Sequence, residues 1–571
     1  MTATTETTYT APLVVLDATA GVLVAHRPDV QRTDVPAEVV DLATAAEWAL
    51  AVGLGAPKLS QDGEDSGPLL VLTESATEFL GLPARLDDRK RLRVPDDHPA
   101  VKALTEAGWT HSRAGVGPWT FLYRGRTEVR VASVVWGAFD TNMRWGGIAD
   151  VAAAPSALAY TLGLFAERVI SPTGSTAGCS IGLMEAVRPP TKLVFNRGTG
   201  RPHRMPVAGS LSRAVDPAPP EAPDEHPLAA ERTRDESRSP AHVLVEEALA
   251  WYREPTEQEA ALPHVVGIDT NVAFLAASNR LTVGLSEAVY TDGPSFDKKI
   301  PGAWLCDFSG LTLRAKDLQT KQWRDLDPRI PSPFTPDGKA PAGPAWYATP
   351  TVAYAVELGI DVQPLAAWLR PEAGGYLDLW HNRLRAAYMD TLADLGVTDG
   401  MDEGEYVAAM AAIRERDPES VALLSAIKQV AKGGIGKMRE RPQGRREGRN
   451  APWPALKRPT WRPDIRAAVI SNSRTGQHRK IVKTWLATGA VPLAVLADCV
   501  LYASAYPTAR ALVPRKPDGE PLPGGFRLGP NPGFMKQEGV QPMQWYRDTT
   551  SKDVNPGRFI KEGRDAVRDG E

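Results

Sequence analysis

The chain has 571 residues, 43% apolar and 24% charged, with 66 Lys+Arg against 69 Asp+Glu and a formal net charge of -3. At roughly 150 residues per domain this implies two to four domains, with enough apolar residues for a large core. Near-neutral charge excludes a globally basic nucleic-acid coat protein but permits a local basic groove.

Cys179, Cys306 and Cys499 lie far apart with no C-x-x-C pair. That spacing excludes a disulfide framework and a Cys-rich zinc site, and it fits a reducing cytoplasm. The opening MTATTETTYT lacks the charged and apolar regions of a signal peptide. No stretch approaches the roughly 20 apolar residues of a membrane span. The expectation is a cytoplasmic protein with no membrane partner.

Residues 11–195 read as a mixed α/β domain. Leu13–Leu16 and Val131–Trp136 have the apolar runs of strands, and Thr44–Val52 and Ser156–Glu167 the periodicity of helices. DPAPPEAPDEHP and ERTRDESRSP, within Pro206–Pro240, are rich in proline and charge, as in a solvated linker or disordered insertion. A helix is expected over Ala241–Tyr252 and a long loop over Asp325–Pro344. From Lys428 to Arg466 there are twelve Lys/Arg against three Asp/Glu, including RERPQGRREGR. The tail after Ala511 is Gly/Pro-rich and then polar. The expected domains are 1–200, a linker at 201–240, 241–510 and 511–571.

Three segments carry candidate chemistry. In HVVGIDTNVAFLAAS, residues 264–278, a short apolar strand delivers Asp269 at its C-terminal end. A carboxylate there needs a cation or hydrogen bonds to hold it, although an ordinary helix N-cap also fits. In ESVALLSAIKQVAKGGIGK, residues 419–437, Val421, Leu424, Ile427 and Val430 repeat with a 3.6 period. Lys428 and Lys432 share one face of that helix, and Gly433, Gly434 and Gly436 are expected to end it. Lysines beside such a stop suit phosphates; an exposed lysine face with a glycine cap fits equally. In VPLAVLADCVLYASA, residues 491–505, Asp498 is the single acid in an apolar run. It belongs at a hairpin tip or beside a cation.

In this order the three segments resemble family B DNA polymerases, particularly the protein-primed branch. The first is similar to the family's motif A, with Asp269 on the metal-binding Asp and Phe274 on the aromatic residue under the sugar. The second is similar to motif B, with Lys428 on the triphosphate-binding Lys and Gly436-Lys437 on the closing Gly-Lys. The third is similar to motif C, with Asp498 on its second, metal-binding Asp. Lys432 and Ile435 stand where motif B has Asn and Tyr, and Leu496 replaces the first Asp of motif C. FRLGPNPGFMKQEG, residues 526–539, resembles the family's Leu-Gly…Lys-x-Glu segment and makes Lys536 a contact to template or primer. AWYREPTEQEAALPHVVGIDTNVAFLAASNRLTVGL is also similar to the polymerase-like portion of actinobacterial telomere-associated replication proteins. The resemblance spans about residues 245–545.

The resemblance implies an α/β multidomain chain: an N-terminal, degenerate exonuclease-like α/β domain, then a polymerase palm with fingers and a small thumb. Asp17, Asp140 and Asp150 fall where exonuclease acids are expected. The implied function is DNA-templated nucleotidyl transfer in replication of linear plasmid, phage or chromosome DNA, with dNTP as substrate. Asp269 and Asp498 would hold two Mg2+ ions, and Lys428, Lys432 and Lys437 would face the triphosphate. Arg439, Arg441, Arg445, Arg446, Arg449, Lys457, Arg458 and Lys536 would track DNA. Trp453 and Trp461 could stack on unpaired bases or pack in a core. The alternative is a catalytically inactive palm that binds DNA ends and a DNA-terminal protein. A third reading is an unrelated metal-dependent nuclease or regulator.

Overall fold

The computed structural model describes residues 11–86, 93–196, 198, 200–229, 239–317, 319–442 and 453–561. The chain divides into two compact units. One comprises residues up to Met205 with Asn382–Leu395 and Ala412–Gly434; the other comprises Pro206–His381, Gly396–Ala411 and the chain from Ile435 onward. Positions 240 and 510 therefore fall inside the second unit.

In the first unit, β1 (Leu13–Thr19), β2 (Val22–His26), β3 (Arg32–Asp34), β4 (Leu69–Leu72), β5 (Thr110–His111), β6 (Trp119–Arg124) and β7 (Thr127–Ser133) form a mixed sheet. Its order is β3-β2-β1-β4-β7-β6-β5. The centre is parallel, β1 to β4 and β4 to β7, and the flanks are antiparallel. The central strands are continuous apolar runs because both faces are covered: Leu13–Leu16 and Leu69–Leu72 are fully buried. The expected helices are observed at Leu42–Ala51 and Pro155–Arg168. The apolar stretch after Ser133 turns instead of continuing as a strand, since β7 ends there.

The helix Pro418–Lys437 runs on through the glycines expected to stop it. Gly433 and Gly434 are packing residues. A methyl at Gly433 would come within 2.9 Å of the Ala177 Cβ, and one at Gly434 would collide with Ser180 Oγ. They let this helix press closely on the helix Thr176–Val187.

The second unit holds β8 (Ala250–Tyr252), β9 (His264–Thr270), β10 (Val289–Asp292), β11 (Gly302–Asp307), β12 (Pro344–Ala348), β13 (Ala366–Leu369), β14 (Ala494–Leu496), β15 (Cys499–Ser504) and β16 (Met535–Pro542). One sheet has the order β8-β14-β15-β9-β16 and another β10-β13-β11-β12. A 26-residue helix, Pro463–Thr488, ends at Gly489 in the left-handed region.

Two expectations are corrected here. Ala241–Tyr252 is not helical: the segment is extended and ends in β8. Glu246 anchors it, accepting from Arg474 at 2.5 Å, Thr351 Oγ1 at 2.9 Å and the Ala348 N–H at 2.8 Å. The Pro- and charge-rich stretch is also no free linker over 210–229. Glu221 is buried and accepts from Arg370 at 2.5 Å, while Arg370 also pairs with Asp464 at 2.9 Å. The His226 ring stacks on Trp461 with centroids 5.4 Å apart. Glu221, Arg370, Glu246 and Arg474 are thus buried with partners of opposite charge, as a low-dielectric interior requires.

Candidate active site

β9 lies between β15 and β16, antiparallel to both. Val265, Val266 and Ile268 bury it, so Asp269 arrives near the end of an apolar strand, as its sequence position implied. Directly opposite Asp269 stand Cys499 on β15 and Lys536 on β16. Asp498 sits one position away, in the two-residue turn between β14 and β15. Its carbonyl accepts the Thr270 N–H at 3.2 Å, and the preceding Ala497 has a φ of 52°. Side chains alternate along a strand, so Asp269 shares a face with Cys499, while Thr270 belongs to the other face. The residue the ladder places across from Asp269 is a buried thiol.

Asp269 is held by an ammonium from its own chain. Lys536 Nζ lies 3.0 Å from Asp269 Oδ2 and 2.8 Å from Glu538 Oε2, and Lys561 Nζ lies 2.5 Å from Glu538 Oε1. The two carboxylates are almost wholly buried, at 5% and 2% side-chain exposure. Pairing slips between Gly267 and Ile268, so Glu538 has no opposite residue on β9 and joins Lys536. Glycines make room for the last member: methyls at Gly267 and Gly539 would strike Ile560, the residue before Lys561.

The cluster is two acids and two ammoniums. Burial pulls the Lys536 ammonium down, but the attraction of Asp269 and Glu538 outweighs it and holds Lys536 well above its ordinary value. Burial likewise pushes the Asp269 carboxyl up against the pull of Lys536. We take the pair as ionic, because an ammonium 3.0 Å from Asp269 Oδ2 favours the carboxylate form and opposes the effect of burial. Asp269 Oδ1 is buried and accepts no hydrogen bond.

Beyond β9, Asn271 fixes the chain. Its side-chain amide donates to Tyr406 Oη at 3.1 Å and to the Gly529 carbonyl at 2.7 Å. Val272 then takes a φ of 40° and starts the short helix Ala273–Ser278, which carries a half-buried Phe274.

Lys428 and Lys432 belong to the first compact unit, whereas Gly436, Lys437, Asp269 and Asp498 belong to the second. Lys437 pairs with Glu440 at 3.1 Å, as does Arg458 at 2.5 Å. Arg439 faces Glu247 at 3.6 Å and Arg441 faces Glu225 at 3.7 Å. Lys457 and Arg441 are solvent-exposed. Arg445, Arg446 and Arg449 lie outside the described residues. Trp453 and Trp461 both donate their indole N–H to the Glu440 carbonyl, at 2.8 and 3.0 Å, and Trp461 is 2% exposed. Trp461 is a core residue and Trp453 is half-buried beside it, their indole N–H groups satisfied by one shared carbonyl.

In the first unit Asp17 accepts hydroxyl hydrogen bonds from Thr73 at 2.8 Å and Ser75 at 2.7 Å. Burial raises its carboxyl, and these hydroxyls more than offset that to hold it below its ordinary value. Asp140 caps its own turn, accepting the Met143 N–H at 3.0 Å. Asp150 is exposed.

Sequence reasoning missed Glu538, Lys561 and the place of Cys499. The i, i+2 spacing of Lys536 and Glu538 on a strand was a readable sign for the first; nothing local announced Lys561. Among the described residues no group of three or more His, Cys, Asp or Glu side chains is arranged to hold a metal ion, and no helix is long and apolar enough to cross a membrane.

A family described as a domain of unknown function, DUF8841, matches residues 14–175. No curated protein matches the sequence. Solved structures of Phi29 DNA polymerase are similar in fold over most of the chain. The ternary complex with primer-template DNA and incoming nucleotide is 8% identical with a TM-score of 0.43, covering 93% of this chain and 85% of that one. The post-translocation binary complex with primer-template DNA is 9% identical with a TM-score of 0.39, covering 92% and 84%. The complex with single-stranded DNA is 9% identical with a TM-score of 0.38, covering 93% and 83%.

Proposed function

We propose that the chain is a DNA-binding protein built on a polymerase-type palm, preceded by an exonuclease-like α/β unit. The observation that carries this reading is the ladder of β9 with the β14–β15 hairpin. It brings an acid at a strand end to within one register position of an acid at a hairpin tip, 229 residues further along the chain. That is the arrangement implied by the motif A and motif C resemblance.

Such a palm can transfer nucleotides from dNTP or bind DNA without transfer. Transfer requires two Mg2+ ions on oxygen donors that converge on one face. The residues around Asp269 do not fit that pair: Cys499 is opposite, and Lys536 takes up Oδ2. These two contacts speak against a two-metal centre at Asp269 and leave DNA binding as the activity proposed for the palm. Exposed Arg441 and Lys457, with Arg445, Arg446 and Arg449, would meet phosphates.

The test is DNA binding measured against salt, beside a primer-extension assay with Mg2+ and dNTP. Binding should weaken steeply with salt, and alanine at Arg441 or Lys457 should each lower the salt slope by about 1. Failure to bind any DNA would overturn the reading. Incorporation abolished by Asp498→Ala would restore the transferase.

A further inference from the structure

The charge cluster around Asp269 has a definite chemistry. Its Oδ1 is buried with no hydrogen-bond partner, and its Oδ2 is bound by Lys536. Lys536 bridges to Glu538, whose other oxygen meets Lys561. Two carboxylates and two ammoniums therefore balance inside one largely buried site.

We infer that Lys536, backed by Lys561, stands in for a divalent cation at the Asp269–Glu538 carboxylate pair, so that the second unit carries a closed, metal-independent palm. The inference rests on the palm reading above and specifies what occupies its acidic centre. An ammonium suits this place better than Mg2+ on three counts. It sits at ordinary hydrogen-bond distance, 3.0 and 2.8 Å, from one oxygen of each acid. Mg2+ would have to approach about 2.1 Å and recruit near-octahedral oxygens, several of them waters, where Cys499, Gly267 and Gly539 offer none from their side chains. Finally, the strand itself delivers the ammonium, since Lys536 is paired with Asp269 in the ladder and Glu538 is released by the register slip. Lys536 Nζ reaches one oxygen of each acid, and Asp269 Oδ1 is left buried without a hydrogen-bond partner.

The probe is Mn2+ alone, titrated into the full chain without DNA and followed by the electron paramagnetic resonance of the free ion. In the wild type no bound Mn2+ depends on Asp269, so Asp269→Asn leaves the isotherm unchanged. Lys536→Gln, which removes the ammonium and leaves both acids, gains one Mn2+ equivalent, and Lys536→Gln/Asp269→Asn loses it again. A wild-type Mn2+ site abolished by Asp269→Asn would overturn the inference. So would a folded Lys536→Gln protein, judged by circular dichroism, that gains no site. If Lys536→Gln does not fold, the wild-type and Asp269→Asn isotherms decide alone. Loss of DNA binding with the expected Mn2+ result would discard the palm reading and leave the ammonium assignment standing.

Discussion

Cys499 is the residue directly opposite Asp269 in the β9–β15 ladder, and its thiol is buried. The acid expected there, Asp498, lies one position away in the turn. One step of register in a strand exchanges the faces of the sheet, so this offset decides which groups can share a ligand.

Replacing Cys499 with Asp would set a second carboxylate across from Asp269, with Lys536 already shared. The new carboxyl would be raised by burial and by its like-charged neighbour. A raised carboxyl penalises the fold above its unfolded value and is relieved as pH falls. Cys499→Asp should therefore cost about 3 kcal/mol or more at neutral pH, with the difference from wild type shrinking below about pH 5. Urea denaturation at several pH values would measure it.

Asp269 and Lys536 should behave as a coupled pair. Asp269→Asn or Lys536→Met alone leaves a buried charge uncompensated, at a cost of about 3–5 kcal/mol each. The double variant should lose clearly less than the sum, and a double-mutant cycle in urea reads the coupling. Strict additivity would show that the two groups do not act on each other.

The glycines of the helix Pro418–Lys437 should separate by position. Gly434→Ala should destabilise by about 1–3 kcal/mol through the clash with Ser180. Gly436 is exposed with open space around it, so Gly436→Ala should stabilise by up to about 1 kcal/mol. Thermal melts of the two variants test this; stabilisation by both would contradict the packing role.

His478 should make stability fall with acid. Its Nδ1 shares a 2.7 Å hydrogen bond with Tyr354 Oη and its Nε2 one of 2.9 Å with the Pro331 carbonyl. Burial lowers it from its ordinary 6.5 to about 3. The unfolded chain then binds the proton more readily, so stability is full above 6.5 and is lost as pH falls towards 3. The slope approaches about 1.4 kcal/mol per pH unit between those values. Asp464, held down to about 2 because Arg370 and Arg462 outweigh the effect of its burial, contributes in the same direction only below its ordinary 3.8. His478→Gln should flatten the interval from about 4 to 6.5, as measured by urea midpoints.

What the sequence disclosed was local. The apolar runs of β1 and β9, the period of the helix Pro418–Lys437 and an acid at each of two strand ends follow from patterns a few residues long. What it concealed depends on distant partners. Glu221 looks like linker charge until Arg370, 149 residues away, is placed beside it. Glu246 reads as helical until Arg474 draws it into the core. The glycine run reads as a helix stop because its reason, Ala177 and Ser180, lies elsewhere in the chain. Lys536 reads in the sequence as a contact to template or primer, and in the fold its ammonium lies against Asp269.

The most direct test of the central claim is an anomalous difference map from crystals of the full chain soaked in Mn2+. The account predicts no peak at Asp269 and the Lys536 ammonium about 3 Å from Oδ2, as an N–H···O contact requires. A peak about 2.1 Å from an Asp269 oxygen, with the lysine swung aside, would contradict it.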